Sequence, residues 1–99
     1  NKSGTSLYML SYHDPYKQIE PYLIQFTKNS TSKGIMTSKF PGQEFCFAIK
    51  GTFEVIVNKK NYTINEGDGF YFNSKLPHLF KNISDEEGEL IWIITPNNN

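Results

Sequence analysis

The chain is 99 residues long, about 37% apolar and 15% aromatic, which is enough for one domain with a core of its own and too little for two. Ten lysines balance ten acidic residues and arginine is absent, so the chain offers no basic footprint to a phosphate backbone and no planar guanidinium to read guanine edges. No apolar run approaches the roughly 18 residues that a helical membrane span needs, and a DNA-reading surface and a helical anchor are both excluded.

In chain order, residues 1–6 are small and polar and read as a linker remnant, and residues 7–10 read as a short edge strand. Residues 11–21 carry Asp14-Pro15 and Glu20-Pro21, which favour turns over a long helix, and hold His13, which no motif ties to the rest. Tyr22, Ile24 and Phe26 alternate with Leu23 and Gln25, the pattern of a strand with one apolar face. Residues 27–34 form a polar loop, a further short strand is expected at 35–38, and Phe40-Pro41-Gly42 turns the chain. Residues 45–49 are a continuous apolar run, Gly51 is a hinge, and residues 52–57 set Phe53, Val55 and Val57 on one face. A polar hairpin turn is expected at 58–61, with Tyr62 and Ile64 on the returning strand and a turn at 65–67.

Gly67 and Asp68 turn the chain into an aromatic strand at 70–72, and Pro77-His78 then opens a strand that aims His78 at the aromatic one. Residues 84–89 read as an acidic loop, and residues 90–95 as a last strand stopped by Pro96 before an asparagine tail at 97–99. Eight or nine strands at about ten-residue spacing, without helical periodicity, predict an all-β fold, an antiparallel jelly-roll sandwich or barrel over residues 7–96. Strand alternation adds a condition: if Glu44 points inward, so do Cys46 and Ala48, which leaves Phe45, Phe47 and Ile49 on the outer face. A face that apolar requires cover, most simply from the amino-terminal strand or a second subunit. The single cysteine, Cys46, lies in the apolar run, where an inert buried thiol and a reducing, cytoplasmic compartment are expected. Sequons at Asn29, Asn61 and Asn82 are what an asparagine-rich chain produces by chance.

Two segments carry a family resemblance. Glu44, six residues and Gly51 resemble the second half of the first cupin motif, and Gly67, His78 and Asn82 resemble the second. The wording Pro-Gly-Gln-Glu-Phe, Ile-Lys-Gly and Gly-Asp-Gly-Phe-Tyr-Phe-Asn-Ser-Lys-Leu-Pro-His, closing on residues 92–96, looks most like the cupin sensor domain that follows an XRE-type helix-turn-helix in bacterial transcriptional regulators. The departures are specific. The first-motif histidines fall at Ser38 and Phe40 or at Thr37 and Lys39, and Asn73 and Lys75 replace a proline and a glycine of the second motif. Of the four metal ligands that the resemblance implies, Glu44 and His78 are left, too few for tight divalent binding.

The resemblance therefore implies an effector-binding module and not an enzyme, with no metal and no cofactor, reaching DNA only through a helix-turn-helix domain that precedes it in a longer chain. The polar start without an initiating methionine fits such a fragment. Ligand-binding residues are expected at Glu44, Cys46, Ala48, Tyr71 or Phe72, His78 and Phe80, around a small-molecule effector of amino-acid or small organic-acid size. A homodimer and no membrane contact are expected. The alternatives are a small cupin isomerase or metal-dependent dioxygenase, and a ligand-free dimerisation domain.

Overall fold

The computed structural model describes residues 4–10, 19–35 and 42–96. Along β3 (Gly42–Lys50) Glu44, Cys46 and Ala48 are buried while Phe45, Phe47 and Ile49 are exposed, so the alternation expected of this strand is the one it has. The same rule fills the inner face of β4 (Phe53–Val57) with Phe53, Val55 and Val57. Gly51 stands between them at φ +88°, a conformation that a side chain rarely adopts, and a Cβ there would meet the Ser84 hydroxyl at 2.9 Å. At this corner the chain leaves one sheet for the other.

Eight strands are found among the described residues: β1 (Thr5–Met9), β2 (Glu20–Phe26), β3, β4, β5 (Lys60–Ile64), β6 (Gly69–Asn73), β7 (His78–Asn82) and β8 (Gly88–Pro96). They form a five-stranded sheet in the order β1-β2-β8-β3-β6 and a three-stranded sheet in the order β5-β4-β7, with every strand pair antiparallel. The two sheets close on one core of Ile24, Phe26, Phe53, Val55, Phe80, Leu90 and Trp92 with their neighbours. Phe26 and Phe53 meet across it edge to face, with ring centroids 5.0 Å apart. This is the expected jelly-roll sandwich.

Three boundaries shift. The hairpin turn between β4 and β5 is only Asn58 and Lys59, at φ 50° and 69°, the two-residue form whose twist matches the strands it joins. The last strand begins at Gly88, so the acidic loop ends sooner than expected. The edge strand starts at Thr5, whose buried hydroxyl donates to the Thr31 carbonyl at 2.7 Å. That strand also corrects an expectation: β1 pairs with β2 at the far edge of the large sheet and does not lie over Phe45, Phe47 and Ile49. His13, Thr37, Ser38, Lys39 and Phe40 lie outside the described residues, and Ile35 stands in a turn.

Candidate functional site

Glu44 on β3 and His78 on β7 belong to opposite sheets, and the sandwich brings them together inside. The Glu44 side chain is fully buried and that of His78 is 6% exposed, with His78 Nε2 3.6 Å from Glu44 Oε1, an electrostatic contact longer than a hydrogen bond. His78 Nδ1 lies 2.8 Å from the Leu76 carbonyl oxygen. A carbonyl can only accept, so Nδ1 carries the hydrogen, and Nε2 is the nitrogen turned toward the carboxylate. The Phe72 ring flanks the imidazole with centroids 4.6 Å apart.

The third member is Trp92 on β8, whose indole Nε1–H donates to Glu44 Oε1 at 2.8 Å. Glu44 Oε1 is thus held, whereas Glu44 Oε2 is buried and has no hydrogen-bond partner among the described residues. Ser74 Oγ shares that condition. Ser74 is the next inward position after Phe72, and its amide donates to the Gly42 carbonyl at 2.9 Å, which places it at the same end of the sandwich as Glu44. A buried carboxylate oxygen without a donor costs free energy, on the order of 1–3 kcal/mol for a polar atom and more when charged. One end of the interior is therefore polar and incompletely satisfied while the rest is aromatic and aliphatic.

The other expected site residues divide. Phe72 takes the inward place, and Tyr71 points outward, 70% exposed, into an open cleft of about 380 Å³ lined by Gln43, Glu44, Phe45, Tyr71 and Thr95. Cys46, Ala48 and Phe80 are fully buried members of the core. Burial, and after it the charge of Glu44, raises the Cys46 thiol well above its usual range, so it stays protonated and unreactive at neutral pH. Asn82, a motif position, is a buried clamp. Its Nδ2 donates to the carbonyls of Thr27 (3.2 Å) and Glu86 (2.7 Å), and its Oδ1 accepts from the Ser84 amide at 3.0 Å.

The donor set among the described residues does not fit a metal. Glu44 and His78 supply two candidate ligands, Cys46 holds its proton, and no group of three or more His, Cys, Asp or Glu side chains that could hold an ion occurs among the described residues. Trp92, Ser74 and the Leu76 carbonyl are site members that the sequence reading missed. Trp92 carried a usable signal, because a buried indole N–H seeks an acceptor and Glu44 is the only acidic residue of residues 42–50. The other two carried none, since both depend on how the turn before β7 folds back.

A model of the cupin domain matches residues 37–94 of the chain. No curated protein matches its sequence. Among solved structures, the cupin domain of an XRE-family transcriptional regulator from Enterobacter cloacae is similar over 96% of this chain and 99% of that one, at 17% identity and a TM-score of 0.85. An HTH_3-family transcriptional regulator from Vibrio cholerae matches 96% of this chain and 52% of its own, at 14% identity and 0.78. A cupin-superfamily sugar phosphate isomerase from Silicibacter pomeroyi matches 95% and 60%, at 18% identity and 0.71. At these identities the structural likenesses speak for the fold.

Proposed function

The chain belongs to the cupin family, whose domain model covers more than half of it, and from that premise we propose that it is the effector-binding module of a bacterial transcriptional regulator. It takes up a small molecule at the Glu44–His78 end of the sandwich, works in the cytoplasm, and meets DNA only through a helix-turn-helix domain elsewhere in a longer chain. The observation that carries this reading is Glu44 Oε2, a buried carboxylate oxygen with no donor beside a histidine whose orientation is fixed. Two neighbours that are regulators, from Enterobacter cloacae and Vibrio cholerae, support the same assignment.

The chemistry selects the ligand class. An ammonium or hydroxyl donor would satisfy Oε2, whereas a second carboxylate there would face Glu44 at short range in a dry interior. The effector is accordingly an amino-acid-sized metabolite led by an amino or hydroxyl group. Aromatic rings from Phe72 and Trp92 suit its apolar part. In this reading the domain binds rather than turns over its ligand, which is supported by the described residues offering two candidate metal ligands, Glu44 and His78, and by a Cys46 thiol that burial keeps protonated.

Thermal shift followed by calorimetry against a panel of amino acids, amines, polyols and organic acids tests this. A donor-bearing compound should raise the melting temperature, Glu44→Gln should lose that response, and His78→Ala should weaken binding by about 1–3 kcal/mol while leaving the fold intact. Equal binding in both variants overturns the site. The isomerase reading, favoured by the Silicibacter pomeroyi neighbour, requires turnover of a sugar phosphate that Glu44→Gln abolishes.

A further inference from the structure

Glu44 Oε2 and Ser74 Oγ are the two buried side-chain oxygens without a partner among the described residues. Ser74 is 4% exposed and stands in the turn between β6 and β7. A serine in a turn ordinarily bonds the backbone near it. Here Asn73 does that instead: its Oδ1 accepts from the Lys75 amide at 2.9 Å and its carbonyl accepts from the Leu76 amide at 3.1 Å. The Ser74 amide is pinned to the Gly42 carbonyl at 2.9 Å, and the Leu76 carbonyl takes the His78 Nδ1 hydrogen at 2.8 Å. One turn thus orients His78 and holds a hydroxyl that the fold gives no bond to make. An unbonded buried hydroxyl destabilises the empty domain, as groups kept for binding do.

Register places that hydroxyl beside the open carboxylate oxygen. Glu44 is opposite Phe72, and the next inward position is Ser74, a diagonal neighbour of Glu44 at about 7–8 Å. Across from Ser74 stands Gly42, which puts no side chain between them. The two oxygens make no bond with each other, so one occupant that satisfies both has to bridge them. Two polar groups on adjacent carbons of a small molecule form such a bridge.

Charge selects among these molecules. Among the described residues Glu44 is the only buried carboxylate and no lysine is buried. His78 Nε2 stands 3.6 Å from Oε1, the oxygen that Trp92 already holds. An ammonium group at Oε2 supplies a counter-charge. The group at Ser74 has to be neutral, because a carboxylate there would set a second negative charge beside Glu44 with one hydroxyl to hold it. We infer that the effector is a vicinal amino alcohol and that Ser74 is the residue that selects it, against plain amines and against α-amino acids. The inference rests on the Glu44–His78 end being the effector site, and it assigns each ligand group an oxygen. The ammonium donates to Glu44 Oε2, and the hydroxyl pairs with Ser74 Oγ.

The chain has one tryptophan, so the Trp92 indole N–H gives a single reporter beside Glu44 in a nitrogen–proton correlation spectrum. At neutral pH this resonance should respond to ethanolamine at a concentration at least about tenfold lower than to ethylamine or glycine. In Ser74→Ala the affinity for ethanolamine should drop at least about tenfold, with the ethylamine response as in the wild type. Without ligand, Ser74→Ala should melt no lower than the wild type, since it deletes a hydroxyl that has no bond. A Ser74→Ala that melts several degrees lower would show a hydroxyl bonded within the fold or to a structural water, and that overturns the inference. An equal response to ethanolamine and ethylamine in the wild type, or a stronger one to glycine, overturns it while the effector site stands. A Trp92 resonance that none of the three compounds moves overturns both.

Discussion

Behind the three-stranded sheet, the outward positions are Glu54 and Ile56 on β4, Asn61 and Thr63 on β5, and Leu79 and Lys81 on β7, with Glu54 directly opposite Lys81. Behind the five-stranded sheet, the middle of the grid is Tyr71, Phe45, Ile93, Phe47, Ile91 and Leu23, with Asn73, Gln43 and Thr95 in the row at one end and Gln25 and Glu89 at the other. Both sheets bury a largely apolar inner face, and the smaller one follows the usual antiparallel pattern of apolar inside and polar outside throughout, the larger one only in its end rows. Period-two alternation therefore identifies the inner side of a strand where the other side is polar. Where both sides are apolar it cannot, and a buried polar group such as Glu44 has to decide.

The inner faces are where the two sheets should respond alike. Ala48→Asp on β3 and Val55→Asp on β4 each place a carboxyl group at a fully buried position, and each should cost about 4 kcal/mol or more. Circular dichroism should then show a chain unfolded at 25 °C. A folded Val55→Asp with an unchanged urea midpoint would break the equivalence of the two inner faces.

A smaller effect probes the place where the sheets are joined. Gly88 opens β8 in the large sheet, and a Cβ on it would sit 2.7 Å from Phe53 Cζ and 3.2 Å from the Asn82 amide, both in the small sheet. Neither neighbour is a flexible tip, so Gly88→Ala should destabilise by about 1–3 kcal/mol through overpacking, read as a lower urea midpoint with an unchanged m-value. A neutral Gly88→Ala would mean that the two sheets slide apart more easily than their packing implies.

How far the sequence could be read follows the same division. The inward placement of Glu44, Cys46 and Ala48 needs only alternation, and His78 needs only a strand facing an aromatic one, so this pair and the strand count were legible. The Trp92–Glu44 bond was not, because it depends on β8 lying beside β3 in one register, a pairing between residues 48 apart in the chain that no local pattern specifies. The Asn58-Lys59 turn was read too long, since neither residue is a glycine although both adopt positive φ. The expectation that the amino-terminal strand covers the apolar back failed for a topological reason. A strand beside β2 satisfies backbone hydrogen bonds at the sheet edge, and it cannot also lie across the sheet.

Titration separates the two inner faces more gently. Cys46 on β3 has its thiol raised by burial and by Glu44, whereas Val55 on β4 has nothing to titrate. Below the unfolded thiol's value of about 8.5, folded and unfolded chains both hold the proton and the full stability is present. Above it the unfolded chain releases the proton and the folded chain keeps it, so stability falls by up to about 1.4 kcal/mol per pH unit until the folded value is passed. Urea midpoints of the wild type should fall more steeply between about pH 8.5 and 9.5 than those of Cys46→Ala, the difference giving the thiol's share. Parallel curves would show that the thiol titrates in the folded chain as it does in the unfolded one.

The smallest effect is the most informative about the two backs. Ile56→Thr removes a half-buried apolar side chain from a face already mixed with Glu54, Asn61, Thr63 and Lys81, keeps the β-branch that the strand favours, and leaves no buried polar group. It should change stability by less than about 0.5 kcal/mol at any protein concentration. Phe47→Thr is the matched change on the other back. In dilute protein it should cost about 1–2 kcal/mol, because Phe47 is 37% exposed and the rest of its ring packs on the sheet. If this back meets a second copy of the chain, the wild type gains stability by mass action as concentration rises and the variant does not, so the gap between them should widen with the logarithm of concentration. If neither gap changes across about a hundredfold concentration range, the apolar back is merely an exposed surface and the two sheets do not differ in what they meet.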